Sequence, residues 1–150
     1  LETTKGFKLS KQIILVPVLR AGLSMVSSFL EIIPDAKVGH IGLQRDEKTL
    51  LPIDYYYKTP KKLDESITIV LDPMLATGGS AVASFNSLKQ KGAIKCVFAC
   101  LIAAPEGIKK MYEEHPDISV YTAALDRELN SFGYILPGLG DAGDRTFGTL

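Results

Sequence analysis

The stretch VLDPMLATGGSA, residues 70–81, joins an apolar run to a loop of small residues through a single carboxylate. SITIVLD (66–72) reads as a buried strand, because it is short and rich in β-branched residues. Beyond the loop, Val82, Phe85 and Leu88 recur at the spacing of one helical face. Ser80 is placed to cap that helix. Lys89 and Lys91 suit the carboxyl end of its dipole, and Gly92 suits its stop.

The same strand–helix unit recurs on both sides. IILVPV (13–18) predicts a buried strand, and after Gly22 a helix follows with Val26, Phe29, Leu30 and Ile33 on one face, stopped by Pro34. KVGHIGL (37–43), KCVFACLI (95–102) and SVYTAAL (119–125) predict further strands. Ile108, Met111, Tyr112 and His115 mark another helical stripe, ended by Pro116. Alternation of this kind predicts an α/β fold, a largely parallel twisted sheet flanked by helices. Two segments interrupt it. RDEKTLLPIDYYYKTP (45–60) is charged, then aromatic, and predicts a projecting hairpin arm. SFGYILPGLGDAGDR (131–145) is dense in glycine and follows the last strand.

A chain of 150 residues defaults to one domain, and 46% hydrophobic content supplies its core. Lysine plus arginine and aspartate plus glutamate both total 17, so no general attraction to nucleic acid or anionic membrane is expected. The longest apolar runs, around 13–19 and 96–105, fall short of the roughly 20 residues that a membrane helix requires. No signal peptide is evident. Cys96 and Cys100, four positions apart on a strand, would be about 13 Å apart at roughly 3.3 Å per residue. A disulfide needs alpha carbons within about 7 Å. Both are therefore expected to be buried thiols, which fits a reducing, cytoplasmic location.

Ligands of parallel α/β sheets sit at the carboxyl ends of the strands. That rule selects the loops after Val18, Leu71 and Leu125. In the second, Ala76–Ser80 leads into a helix start, where free amides and the positive end of the dipole form an anion site. Thr77 and Ser80 add hydroxyls. No lysine follows the glycines, which excludes the nucleotide-triphosphate loop, and no GxGxxG occurs. Asp72 beside such a cradle would repel a phosphate but accept hydrogen bonds from sugar hydroxyls. A sugar phosphate satisfies both halves. The competing reading of these residues is a plain strand–turn–helix junction.

VLDPMLATGGSA resembles the ribose-phosphate motif of the type I phosphoribosyltransferases, with Pro73 where many members carry a second acidic residue. That departure resembles the uracil phosphoribosyltransferase branch. VPVLRAGLSM, GHIGLQRDEKTL and above all GYILPGLGDAGDRTFGT agree, so the likeness runs from about residue 13 to the end. The resemblance implies the type I phosphoribosyltransferase fold with a carboxyl-terminal base-binding segment. It also implies transfer of the phosphoribosyl group of phosphoribosyl diphosphate to uracil, giving UMP and diphosphate. Family members usually carry additional chain ahead of the matched region. Residues 1–150 are accordingly expected to form a single domain lacking the family's amino-terminal segment.

By that resemblance, Asp72, Pro73, Met74, Leu75, Ala76, Thr77, Gly78, Gly79 and Ser80 would hold the ribose and its phosphate. Arg20 and Arg45 would bind the diphosphate, to which the planar donors of arginine are suited. Ile135, Gly140 and Ala142 would read uracil through the main chain. Asp141 would lie between base and ribose, bonding sugar hydroxyls or helping to hold magnesium. Arg20, Asp72 and Asp141 would carry catalysis; no general base is assigned. Mg2+ would be bound mainly through the diphosphate, with no metal site made of protein ligands alone. GTP as an allosteric activator and a homodimer or higher homo-oligomer are implied as well. His40 and His115 are expected to be structural, and Tyr55, Tyr56 and Tyr57 to serve contacts between the arm and a subunit. Two alternatives stay open: a phosphoribosyltransferase for another base, or a non-catalytic nucleotide- or RNA-binding regulator on this fold.

Overall fold

A computed structural model describes residues 1–45 and 52–149. Its main sheet contains β1 (Ile13–Leu19), β3 (His40–Arg45), β4 (Pro52–Lys58), β5 (Ile67–Leu71), β7 (Lys95–Ala103) and β8 (Ser119–Leu125). They run side by side in the order β4–β3–β1–β5–β7–β8. Two short strands pair with interior strands, β2 (Lys37–Val38) with β1 and β6 (Met74–Leu75) with β7. Every pairing in this sheet is parallel except β3 with β4, which form the antiparallel arm expected from residues 45–60. Residues 46–51 of that segment, including Asp46 and Glu47, lie outside the described residues. KVGHIGL is not one strand: it breaks at Gly39, whose amide donates to the carbonyl of Leu15.

Alternation along the buried strands divides the core between two layers. Ile14, Val16, Val70 and Phe98 face Val82, Phe85 and Leu88 of α2 (Gly79–Gln90) and Met111 of α3 (Pro105–Glu114). Ile13, Leu15 and Leu71 face the other way, onto Met25, Val26 and Phe29 of α1 (Leu23–Ile32). Phe85 meets Phe98 edge-on, with ring centroids 6.1 Å apart. Ile108 packs against the α2 side, but Tyr112, expected on the same stripe, is exposed. Tyr57 of the arm packs against that core too, whereas Tyr55 and Tyr56 are exposed.

Both lysines at the end of α2 have partners. Lys89 Nζ lies 2.7 Å from Asp117 Oδ1 and 3.2 Å from His115 Nδ1, while Lys91 Nζ stands 5.8 Å from the ring centre of Tyr57. His115 is buried, with Nε2 3.3 Å from the carbonyl of Val82. It ties the end of α3 to α2, through Val82 and the Phe85 ring on one side and Lys89 on the other, a structural use. Cys96 and Cys100 are free and buried. Burial pushes Cys96 up to about 11 and raises Cys100, so both stay protonated and poorly nucleophilic. Among the described residues, no helix is long and apolar enough to cross a membrane.

Because Phe85 joins the sheet, α2 and His115 at one point, Phe85→Ala is expected to cost about 3–5 kcal/mol. Urea unfolding followed by circular dichroism measures it. A loss below about 1 kcal/mol would mean that this layer is not the core.

Candidate functional site

Parallel pairing sets Ile13 through Pro17 of β1 opposite Ile67 through Leu71 of β5. Both strands therefore end on one edge of the sheet, and the loops Arg20–Gly22 and Asp72–Gly78 leave it together. Gly22 makes this packing feasible: a Cβ there would lie 2.3 Å from the carbonyl oxygen of Leu71. Gly107, in the first turn of α3, plays the corresponding part on the far side, since its Cβ would meet the carbonyl oxygen of Ala76 at 2.5 Å. The motif reading of residues 70–81 missed Gly107, because the contact joins positions about 30 residues apart.

The loop after Asp72 is held through its backbone. Asp72 N–H donates to Ala99 O, and the amides of Leu101 and Ile102 both donate to Pro73 O at 3.0 Å. Gly78, in the left-handed region at φ +80°, is the N-cap of α2. This corrects the expectation for Ser80, which makes no capping hydrogen bond and sits inside the first turn, where its carbonyl accepts from Ser84 Oγ. The first amide bonded within the helix is that of Val82, to Gly78 O. The amides of Ser80 and Ala81 thus precede the helical ladder, as an anion cradle requires.

The third loop follows β8. A two-stranded hairpin, β9 (Glu128–Leu129) with β10 (Ile135–Leu136), leads into α4 (Ala142–Phe147). Asp126 Oδ2 accepts from Gly138 N at 2.8 Å and fastens the Leu136–Gly138 turn to the end of β8. Asn130 Oδ1 accepts from the amides of Phe132 and Tyr134 and closes the hairpin. Asp141 is the N-cap of α4, its carboxylate accepting from Asp144 N at 2.8 Å. The Leu19–Arg20 and Leu136–Pro137 peptides are cis.

These loops enclose three adjoining hollows among the described residues, and Asp72 lines all of them. The first, about 240 Å³, is bounded by Ile135, Gly140, Asp141 and Ala142 on one side and by Met74 and Ala76 on the other. The second, about 200 Å³, is lined by Leu19, Arg20, Ser80 and Asp141. The third, about 80 Å³, is formed by Met74 through Ala81. Of the proposed ligand-binding residues whose side chains are described, all but Pro73 line at least one of them. Arg45 ends β3 opposite Pro52, and its side chain falls outside the described residues. Pro73 acts through its carbonyl. A larger hollow, about 500 Å³, lies at the other end of the sheet, between residues 8–12 and the end of α1.

Charge in the site is uneven. Asp72 is half-buried, and desolvation pushes its carboxyl from 3.8 up to about 7. The bond from Met74 N opposes that rise, and the neighbouring Asp141 adds to it. Arg20 is exposed; its Nη2 lies 3.0 Å from Asp144 Oδ1 and its Nη1 3.3 Å from Thr149 Oγ1. The Thr149 hydroxyl first, and Arg20 second, hold the Asp144 carboxyl below its usual range. Asp144, Thr149 and Asp126 went unread in the sequence, since only the folded chain brings them to partners over 100 residues or one whole hairpin away. No group of three or more histidines, cysteines, aspartates or glutamates that could hold a metal occurs among the described residues. The site can therefore take a ligand with an anionic end at Arg20, hydroxyls at the carboxylates and a flat polar group against the glycine-rich backbone.

The family model described as uracil phosphoribosyltransferase matches residues 1–149. A uracil phosphoribosyltransferase of Streptococcus uberis is 59% identical over 139 residues, 93% of this chain and 66% of the relative. One from Bacillus thuringiensis is 60% identical over the same coverage. Among solved structures, the AQ2163 protein from Aquifex aeolicus superposes with a TM-score of 0.85 at 42% identity, over 91% of this chain and 65% of that one. A purine phosphoribosyltransferase from Pyrococcus horikoshii, at 18% identity and a TM-score of 0.59 over 77% of this chain and 69% of its own, shares the fold. The chain spans about two thirds of the length of the curated relatives it matches.

The raised Asp72 carboxyl has a consequence for stability. Between pH 4 and 7 the unfolded chain loses this proton while the folded chain keeps it, so folding stability falls as pH rises through that window and levels off above it. Asp72→Asn does not titrate. It is expected to be more stable than the parent by about 1–2 kcal/mol at pH 8, allowing for the partial exposure of the group, and equal to it below pH 4. Chemical denaturation at the two pH values measures the difference; a less stable variant at pH 8 would contradict a desolvated Asp72.

Proposed function

The chain belongs to the uracil phosphoribosyltransferase family, and from that premise we propose that it transfers the phosphoribosyl group of phosphoribosyl diphosphate to uracil, forming UMP and diphosphate. The observation that carries this reading is the sharing of Asp72 by three adjoining hollows of different chemistry. The glycine loop suits the ribose phosphate, the Arg20 hollow suits the diphosphate, and the hollow beside Ile135, Gly140 and Ala142 suits uracil. The bond to be exchanged then falls at the junction, beside Asp72 and Asp141.

Catalysis in this reading is positioning and charge stabilisation. The amides of Ser80 and Ala81 hold one end of the pentose while Arg20 draws off negative charge at the other, where the leaving group develops it. Asp72 accepts from ribose hydroxyls; binding favours its ionised form, so its proton leaves when substrate arrives. Asp141 bridges base and ribose and favours the positive charge that builds on the ring. Main-chain groups at Ile135, Gly140 and Ala142 read the uracil edge, and cytosine, with an amino group in place of a carbonyl, leaves a polar contact unmatched. Mg2+ fits through the substrate: the neighbouring carboxylates of Asp72 and Asp141 suit a cation, and Asp141 would help to hold it. Bound with the diphosphate, Mg2+ neutralises the leaving group.

Homo-oligomeric assembly and stimulation by GTP belong to the same reading. Exposed Leu101 and Tyr121 on β7 and β8, with Leu125, offer apolar surface to a second copy. Light scattering on a size-exclusion peak is expected to give at least twice the chain mass; a monomer would remove this part of the reading.

Given phosphoribosyl diphosphate, Mg2+ and separate bases, the protein is expected to make UMP from uracil and no nucleotide from cytosine, adenine or orotate, with GTP raising the initial rate. Arg20→Ala and Asp141→Asn are each expected to lower kcat/KM at least about tenfold with unchanged circular dichroism. Product identified by chromatography decides the base, and unaltered rates in either variant would remove that residue from its role.

A further inference from the structure

Arg20 lines the hollow proposed for the diphosphate, but Asp144 lines none of the three. The carboxylate stands behind the guanidinium. It accepts from Arg20 Nη2 at 3.0 Å and from the Thr149 hydroxyl at 2.6 Å, and Thr149 Oγ1 in turn lies 3.3 Å from Arg20 Nη1. Two of the nitrogens in the fork are thereby gripped from one side, and the remaining donors are left for a ligand. An arginine at the end of a mobile stem loses much rotamer freedom on binding an anion, and a fork already held loses less. The residue that bears the carboxylate is itself fixed: the backbone N–H of Asp144 donates to Asp141 Oδ1, its backbone carbonyl accepts from the amides of Gly148 and Thr149 at 2.8 and 3.2 Å, and Arg145 Nη1 anchors the same helix to Leu139 O.

We propose that Asp144, assisted by Thr149, is a positioning residue that holds Arg20 in place for the diphosphate of the substrate, and so links the diphosphate subsite to the segment that reads the base. The inference rests on the assignment of Arg20 to the diphosphate. Asp144 touches no substrate; it acts through Arg20. The link follows from connectivity, because the helix that carries Asp144 begins at Asp141, beside the uracil hollow. Order in one subsite is order in the other.

The test compares binding of phosphoribosyl diphosphate with that of ribose 5-phosphate, which lacks the diphosphate, by calorimetry on the whole chain with Mg2+. Asp144→Asn keeps the shape and removes the charge. It is expected to weaken phosphoribosyl diphosphate about tenfold, one lost charge-assisted contact, and to leave ribose 5-phosphate within about twofold. In the Arg20→Ala background the same change is expected to have no further effect, since its route is gone. Thr149→Val, which spares the carboxylate, is expected to give a smaller loss, about two- to threefold, and serves should Asp144→Asn fail to fold. An equal loss for both ligands, or a tenfold loss that persists without Arg20, would make Asp144 merely structural and overturn the inference alone. If Arg20→Ala binds phosphoribosyl diphosphate normally, the diphosphate assignment falls and the inference with it.

Discussion

Five residues of β1 lie in parallel register with five of β5, and that register governs everything built on the sheet edge. It brings Pro17 and Leu71 to one level, so the loops that follow leave the sheet side by side and touch. The contact closes only because residue 22 has no side chain. A one-residue slip would turn the two layers of the core inside out and part the loops by a strand step. The register is in turn held by burial of both faces: Ile14 and Val16 beneath α2, Ile13 and Leu15 beneath α1. Core and site are thus the two ends of one constraint.

What the edge holds is electrostatically awkward. A carboxylate terminates a strand, and a second stands close enough to raise it further. Desolvation is the larger cause, and it arises from the compactness that lets three hollows meet at one side chain. The desolvated Asp72 destabilises the fold at neutral pH.

The strands and helices of this sheet were legible from local pattern because each buries a face whose period is written in neighbouring residues. SVYTAAL is the strand Ser119–Leu125 to the residue. The errors lie where neighbours compete or where the partner is distant. Ser80 is a good capping residue type, but Gly78 takes the cap because the chain must turn through positive φ two positions earlier. KVGHIGL has the composition of one strand, yet Gly39 gives its amide to Leu15 and splits it. Tyr112 fits the periodic stripe of α3, but its ring is half exposed beside Met111, which is buried. At the site, Asp72, Arg20 and the glycine loop were found by motif. Asp126, Asp144, Thr149 and Gly107 carry no local signal; each is defined by a partner from another loop.

That division also orders the site by stability. The glycine loop is fastened by strand pairing and the first turn of a twelve-residue helix. The helix bearing Asp144 has six residues, far below the roughly 12–15 at which an isolated helix becomes marginal. It persists through its cap at Asp141, the ion pair with Arg20 and the bond from Arg145 to Leu139. Two of those three attachments involve residues that face the hollows. A ligand engaging Arg20 or Asp141 would therefore act on the element with the least stability of its own, whereas the glycine loop is held by the sheet and α2. One side of the candidate site is thus fixed by the sheet and α2, and the other by a few side-chain bonds.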